Sequence, residues 1–282
     1  MKELFLVGTF ILGILLKYCF RNIIKYRSYV NKYLIYFGLP LIVYISVSGK
    51  NIASLMNYAI SSIIIGLSLI IVMYFIIKKL NISNKDKAAL FLCSAFGNVA
   101  FLGIPISYSL FGEEGAVIAG VFSFFMLIYR YSIGLYLSNN YLSKGTLSNQ
   151  FLKKPFLWIM ILVFILAQFK FKLPFVFSQI ASFSTFLAIF IIGTSVDFKL
   201  INWKLFKQLF FKMILAPLIA LVLAFILSKD NLFIFVLLGF MPSAFMNTTL
   251  AIEFNFNDKL SASLTTLGTV IFIALFGLYV LL

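Results

Sequence analysis

The sequence has no histidine and very few acidic residues. Of its 282 residues, 8 are Asp or Glu and 2 are cysteine, Cys19 and Cys93. Without histidine, the chain has no imidazole group for acid–base catalysis or metal binding. Both cysteines lie in apolar segments and share no ligand spacing, so we interpret them as small hydrophobic residues rather than a disulfide or metal pair. We therefore expect no metal and no other cofactor.

Charge of either sign is scarce. Charged residues make up 11% of the chain and apolar residues 63%, whereas soluble domains are about a quarter charged and under half apolar. The sequence contains no nucleotide-binding glycine loop, no nucleophile elbow and no HExxH motif. This composition excludes a soluble enzyme, and the shortage of paired acids disfavours an enzyme embedded in a membrane.

Apolar residues occur in runs of about 20, the length that a helix needs to cross a bilayer. Polar clusters divide the chain into ten such runs, which we number as spans 1 to 10. The spans cover residues 4–20, 33–48, 55–77, 88–110, 115–137, 155–169, 174–198, 206–227, 232–251 and 260–282. Because the runs are long and uninterrupted, they predict an all-α polytopic membrane protein rather than a barrel. Span 1 lacks a small-residue cleavage site and is predicted to be retained.

The distribution of Lys and Arg predicts the orientation of the spans. Loops after odd-numbered spans contain 17 of the 23 basic residues, and the other side contains five. Basic loops stay in the cytoplasm, so both termini are predicted to lie outside the cell membrane, which we expect to be a bacterial inner membrane. The net charge of +15 is thus interpreted as an orientation signal that favours lipid as a partner, and not nucleic acid.

The longest polar interruption, residues 138–154, separates five spans from five. Because five is odd, a repeat between the halves must be inverted. Residues 94–98 (SAFGN) and 243–247 (SAFMN) match at four of five positions and lie in spans 4 and 9. We predict two inverted five-helix repeats, residues 1–141 and 150–282, an arrangement in which transporters place their sites where the repeats meet.

Spans 4 and 9 also contain residues that interrupt helices. Proline removes a backbone donor and crowds the preceding turn, and glycine permits non-helical backbone. An interrupted helix in a membrane leaves ends that attract ions, although ordinary kinks and small-residue contacts are an alternative. The predicted substrate-binding residues are Gly97, Asn98, Gly103, Pro105, Pro242, Ser243, Asn247 and Thr248. Asn98 and Asn247 are the predicted direct ligands, since an amide both donates and accepts.

Three charged residues lie in or near spans. Arg130 stands between two tyrosines, which is typical of an interfacial belt, and we favour this interpretation over a substrate or counter-ion role. Asp197 and Glu253 fall at the cytoplasmic ends of spans 7 and 9 and are also interpreted as interfacial. All three remain candidates for coupling, Asp197 and Glu253 because acids within membranes often relay protons, and Arg130 as a counter-ion.

The motifs of spans 4, 7 and 9 resemble those of a known family. Residues 96–106 resemble the fourth helix of the auxin efflux carrier family, whose bacterial members include malate and malonate permeases. Residues 241–254 and 260–263 are similar to its ninth helix and the exit from it, and residues 192–195 to its Gly-x-Ser pattern. Within this resemblance Asn98 corresponds to the motif's asparagine, which implies a role in substrate binding.

The resemblance implies a fold similar to that of bile acid:sodium symporters and NhaA-like antiporters, in which broken helices 4 and 9 cross. It further implies a scaffold domain from helices 1, 2, 6 and 7, through which the chain forms a homodimer. Helices 3–5 and 8–10 would form a transport domain.

We therefore predict a secondary active transporter, or permease, of a small organic anion, expected to be a carboxylate, with elevator-type alternating access. A sodium-coupled symporter or an ion channel on the same scaffold is the main alternative, and a receptor or assembly factor is another. Proton coupling, sodium coupling and uniport all stay open.

Overall fold

The computed structural model describes residues 2–19, 23–50, 52–142, 155–169, 171, 173–200 and 205–281. These residues form fourteen α-helices and, apart from one isolated bridge, no strand. The helices are α1 (Lys2–Cys19), α2 (Ile23–Tyr33), α3 (Leu39–Val47), α4 (Ile52–Lys78), α5 (Asn84–Ala95), α6 (Ile104–Tyr129), α7 (Leu135–Tyr141), α8 (Pro155–Gln168), α9 (Phe175–Ser195), α10 (Phe206–Phe210), α11 (Ala216–Leu227), α12 (Leu232–Phe240), α13 (Phe245–Glu253) and α14 (Asp258–Leu281).

Six helical stretches in the described part of the chain are long and apolar enough to cross a membrane. They are Tyr29–Val47, Ala53–Lys78, Val99–Tyr141, Phe175–Ser195, Phe206–Leu227 and Asp258–Leu281. Two shorter apolar helices, Leu4–Cys19 and Pro155–Gln168, accompany them. This confirms an all-helical polytopic membrane protein. Spans 4 and 9 are not continuous helices: the first is interrupted after α5, and the second consists of the short helices α12 and α13.

Four π-helical turns widen the helices, and three of them lead directly into a proline. The turns cover Leu34–Gly38, Val99–Gly103, Arg130–Gly134 and Phe211–Leu215. Pro40, Pro105 and Pro217 lie in the first turn of the α-helix that follows. A proline ring clashes with the carbonyl four residues earlier, and a π turn moves that carbonyl away. These prolines therefore interrupt the α-helical pattern without ending the span.

For description we divide the helices into two groups, which also contact each other, for example where α3 packs against α6. In the first group, α9 packs against α1, α2 and α3, and α3 packs against α8. Gly13 and Gly193 bring α1 and α9 together so closely that an added Cβ on either would overlap a backbone carbonyl of the other helix. The second group contains α4 to α7 and α10 to α14, in which α4 packs against α5, α6 and α11, and α5 packs against α13 and α14.

Two segments predicted as polar loops are helical. Helix α2 lies between spans 1 and 2, where its many polar residues predicted a loop. Helix α7 continues into the stretch predicted to be polar from residue 138. Ser138 and Asn139 are buried there, and the Tyr141 hydroxyl donates to the Tyr74 carbonyl at 2.9 Å. The rest of that stretch, residues 143–154, lies outside the described residues.

Candidate functional site

The interruptions of spans 4 and 9 meet each other. Residues 96–98 follow α5, residues 241–244 precede α13, and Gly97 pairs with Ser243 in an antiparallel bridge. The Asn98 N–H donates to the Pro242 carbonyl at 2.7 Å, and the Ala244 N–H donates to the Phe96 carbonyl at 3.2 Å. The two breaks therefore satisfy part of each other's backbone, as interrupted helices at membrane depth require. We call this pairing the crossover.

Gly97 is required at the crossover because space there is minimal. A Cβ at this position would lie 3.0 Å from the Met241 carbonyl oxygen and 3.0 Å from the Lys212 ammonium nitrogen. Backbone atoms cannot move aside as a flexible side chain can. The glycine in the SAFGN motif thus allows the two interruptions to approach each other, and Gly97 also lines the cavity beside them.

The two predicted asparagine ligands have different surroundings. The Asn247 side chain is fully buried, and its NH2 group lies 3.0 Å from the Leu92 carbonyl, 2.8 Å from the Phe96 carbonyl and 3.1 Å from Ser243 Oγ. The contacts with Leu92 and Phe96 cap the carboxyl end of α5. The Asn247 NH2 group therefore bonds within the crossover, whereas its Oδ1 has no hydrogen-bond partner among the described residues. Its role as a direct ligand stays a prediction.

Asn98 is placed to bind a ligand. Its side chain is 5% exposed, it caps no helix, and it forms no hydrogen bond to any residue within the described part of the chain. It lines two cavities. An unbonded amide at a cavity wall offers both a donor and an acceptor.

The first of these, which we call the crossover cavity, has a volume of about 500 Å³. This volume is within the range of small-molecule sites. Its walls are largely apolar, with Leu34, Leu39, Met126, Leu127, Ile191 and Ile192 among them. Its polar groups come from Asn31, Lys32, Asn98, Ser123, Arg130, Tyr131, Ser195 and Thr249. It combines an apolar body with a small set of polar groups, which suits an amphipathic ligand.

Arg130 lies inside the protein and not at the membrane interface. It is 6% exposed, its guanidinium donates to the Gly97 carbonyl at 3.1 Å, and it stands over the Phe96 ring at 5.6 Å. The interfacial interpretation favoured from the flanking tyrosines is wrong. Arg130 is the first residue of a π turn. The extra residue of such a turn shifts the direction of the side chains after it, compared with a continuous α-helix.

The charge of Arg130 is not neutralised by an acid. Within the described residues, no carboxylate lies within ion-pair distance of its guanidinium, and Nε has no hydrogen-bond partner. Lys212 is the other buried cation of the described chain, at 4% exposure. The crossover therefore has two buried cations beside it, and no carboxylate of a described residue pairs with either of them.

The second cavity, which we call the hydroxyl cavity, has a volume of about 450 Å³. Its hydroxyl groups come from Thr194, Ser195, Ser243, Thr248, Thr265, Thr266 and Thr269. Ser243 accepts from Thr265 at 3.0 Å, and Thr248 lies 3.2 Å from Ser261 Oγ. Asp197 also lines this cavity, and its carboxylate accepts from the backbone N–H of Lys199 at 3.0 Å.

The remaining predicted residues lie farther from the crossover cavity. Gly103 is buried, with the Leu238 side chain next to it. Pro105 lines a third cavity, of about 870 Å³. Lys50 and Glu113 also line this cavity and form an ion pair of 2.8 Å. Pro242 contributes its carbonyl to the crossover. Glu253 is exposed at the end of α13.

Arg130 and Lys212 are the residues that sequence reasoning did not place at the crossover. The tyrosines beside Arg130 predicted an interfacial position for it. Lys212 is one of the 17 basic residues counted with the loops after odd-numbered spans. The usable signal is that both lie inside apolar runs, at residues 115–137 and 206–227, rather than between them.

Comparison with known proteins gives two matches. The chain matches a family described as membrane transport proteins over residues 4–154 and 144–280. It is 28% identical over 306 aligned positions to an uncharacterized transporter of Methanocaldococcus jannaschii, and the alignment covers 97% of this chain and 94% of that protein.

Proposed function

Because the chain belongs to the membrane transport protein family, that of the auxin efflux carriers, we propose that it is a secondary carrier of a small organic anion, and specifically of a carboxylate. The observation that supports this proposal is the pair formed by Arg130 and Asn98 at the wall of the crossover cavity. A buried guanidinium without an acid needs negative charge from elsewhere, since an uncompensated buried charge is costly.

Arg130 and Asn98 together fit a carboxylate. A guanidinium binds a carboxylate through charge-assisted hydrogen bonds, and the Asn98 amide can donate another. Helix α13 adds to this field, since it begins at Phe245 with no side-chain cap, and Phe245 and Met246 line the same cavity. The first N–H groups of a helix carry partial positive charge.

The apolar walls support a substrate with an apolar body. Leu34, Leu39, Met126 and Leu127 would contact the part of the ligand that is remote from the carboxylate. Burying that part would stabilise binding by roughly 25 cal/mol for each Å² removed from water. In this proposal the charged end binds Arg130 and Asn98, and the apolar end lies against α3 and α6.

The packing of the helices supports an elevator-type mechanism. In our proposal the first helix group is a fixed scaffold, and the second carries the crossover as a transport domain. Cavities lie between the groups both on the Lys32 side and on the Lys50 side. Phe101 packs against Leu34, Ala188 and Ile191 of the first group, which would close the path between these cavities.

The proposed topology follows the ten spans, with two inverted repeats of five. The loops rich in Lys and Arg would then face the cytoplasm of a bacterium and both termini would lie outside. The crossover cavity, which Lys32 lines, would open inward.

A sodium-coupled symporter is the second candidate. The hydroxyl cavity supports it, because Ser243, Thr248 and Thr265 concentrate oxygen atoms beside Asn98. Uptake of the anion into proteoliposomes that stops when sodium is replaced by N-methylglucamine would favour this candidate over uniport or proton coupling.

The proposal is tested with purified protein and a panel of short and aryl-substituted carboxylates. Ligands that raise the thermal unfolding midpoint are then assayed for saturable counterflow in proteoliposomes. Arg130→Gln should weaken binding by roughly ten- to a hundredfold, since hydrogen bonds to charged groups contribute about 1.5–3 kcal/mol. The matched control is Lys229→Gln, which removes an exposed cation. Equal effects of both variants, or no bound carboxylate in the panel, would contradict the proposal.

A further inference from the structure

Lys212 lies at the crossover although it contacts none of the cavities described above. It belongs to the π turn Phe211–Leu215 and is 4% exposed. Its ammonium nitrogen and the Met241 carbonyl oxygen each lie 3.0 Å from the point that a Gly97 Cβ would occupy. The ammonium is therefore within about 6 Å of that carbonyl, beside the backbone of both interruptions.

The groups around Lys212 carry no opposite charge of their own. No carboxylate of a described residue lies within ion-pair distance of Lys212. A buried ammonium has to be matched by oxygen atoms, because it has three donors and no acceptor. The Met241 carbonyl oxygen, within about 6 Å of the ammonium, is one such acceptor.

The carboxyl ends of α5 and α12 both converge on the crossover, and each has four carbonyl groups without partners in its own helix. These ends carry partial negative charge, which cations stabilise. At the end of α5, the Asn247 NH2 group donates to the Leu92 and Phe96 carbonyls. The Arg130 guanidinium donates to the Gly97 carbonyl that follows. Lys212 is the cation that lies beside Met241, the residue that ends α12.

We propose that Lys212 is a built-in cation of the crossover, whose ammonium takes the place that a dissociable alkali-metal cation would otherwise fill at the end of α12. Lys212 is a positioning residue in this inference, because it does not line the crossover cavity. It keeps the two interruptions paired, and so keeps Asn98 and Arg130 in place. The inference refines the proposed carrier by making its anion site independent of bound metal.

The test measures thermal unfolding of the purified, substrate-free protein in detergent. Wild type, Lys212→Ala, Lys212→Met and Lys207→Ala are compared in a buffer whose cation is N-methylglucamine. Sodium, potassium, ethylammonium or tetramethylammonium chloride is then added at equal concentration. Lys207 is the matched control, because it is an exposed lysine one turn before Lys212.

Wild type and Lys207→Ala should unfold at midpoints that do not depend on which cation is present. Lys212→Ala should unfold at a lower midpoint, and the small cations should raise it again by about 2–4 °C, while tetramethylammonium, being too large, should not. Lys212→Met fills the space without charge, so it should stay less stable and should not respond. This response separates the charge of Lys212 from its packing.

Three results would overturn the inference. The first is a wild type that sodium or potassium stabilises as much as it stabilises Lys212→Ala, since Lys212 would then not take the place of a cation. The second is a Lys212→Met variant as stable as wild type, and the third is a folded Lys212→Ala variant that no cation stabilises. If Lys212→Ala cannot be purified, the unfolding midpoints of wild type and Lys212→Met decide the question. Because no substrate is present, the outcome is independent of whether the carrier proposal holds.

Discussion

The two asparagines of the SAFGN and SAFMN motifs occupy matching positions in the sequence and perform different tasks. Asn247 is buried and bonded to the carbonyls of Leu92 and Phe96. The Asn98 side chain forms no hydrogen bond to a described residue and lies at the wall of two cavities. The motif identifies both residues. Only their surroundings show that Asn247 stabilises the crossover and that the Asn98 side chain is placed to bind a ligand.

Replacing each asparagine with alanine should separate these tasks. Asn247→Ala should lower the free energy of unfolding by about 1–3 kcal/mol, because buried carbonyls lose their donor. Asn98→Ala should unfold close to wild type and lose carboxylate binding. Thermal unfolding with and without carboxylate measures both. An Asn98→Ala variant that binds normally would remove Asn98 from the site.

Residue identity alone predicted the crossover asparagine and the helix breakers but not the position of Arg130. Flanking tyrosines made Arg130 resemble an interfacial residue. Its burial coincides with a π turn at Arg130–Gly134, and no proline or other helix breaker in that stretch predicts this turn. In the other three π turns a following proline marks the irregularity, so the sequence contains a signal there that it lacks at Arg130.

At the scale of elements, the crossover depends on two interruptions that fit each other. The pairing uses the N–H of Asn98 and the carbonyl of Pro242, together with the reciprocal bond from Ala244 to Phe96. Pro242 has no backbone N–H to leave unsatisfied. The breaks were predictable from Gly and Pro in spans 4 and 9, whereas their mutual hydrogen bonding depends on tertiary packing.

Gly97→Ala should destabilise the protein by about 1–3 kcal/mol, because the new methyl group would press on the Met241 carbonyl and the Lys212 ammonium. Gly268→Ala is the matched control. It lies inside α14, where the nearest atom to an added Cβ is 3.6 Å away, and alanine favours a helix there. Unfolding midpoints of the two variants give the comparison. Equal midpoints for both would contradict the close approach at Gly97.

At the scale of the whole molecule, the proposed elevator places a boundary between the two helix groups, where cavities lie on the Lys32 side and on the Lys50 side. Phe101 lies at that boundary and packs against Leu34, Ala188 and Ile191. Hydropathy alone predicted an all-helical membrane protein, and six helical stretches of the described residues are long and apolar enough to cross a membrane. The polar helix α2 was missed, because a helix that is not apolar gives no span signal.

Joining the two groups should stop transport if one moves against the other. In a Cys19→Ser background, Phe101→Cys with Ala188→Cys should lose counterflow after cross-linking and recover it after reduction. Phe5→Cys with Phe186→Cys is the control within the first group, where these rings lie 5.9 Å apart in α1 and α9. Transport that continues after complete cross-linking of the first pair would contradict an elevator movement.

The most direct test of the account is an experimental structure of the protein with a bound carboxylate, at a resolution that identifies the ligand. We expect the carboxylate in the crossover cavity, within hydrogen-bonding distance of the Asn98 amide and the Arg130 guanidinium. Residues 88–110 and 232–251 should be interrupted where they pair. A ligand bound elsewhere, or two continuous helices that do not touch, would contradict the account.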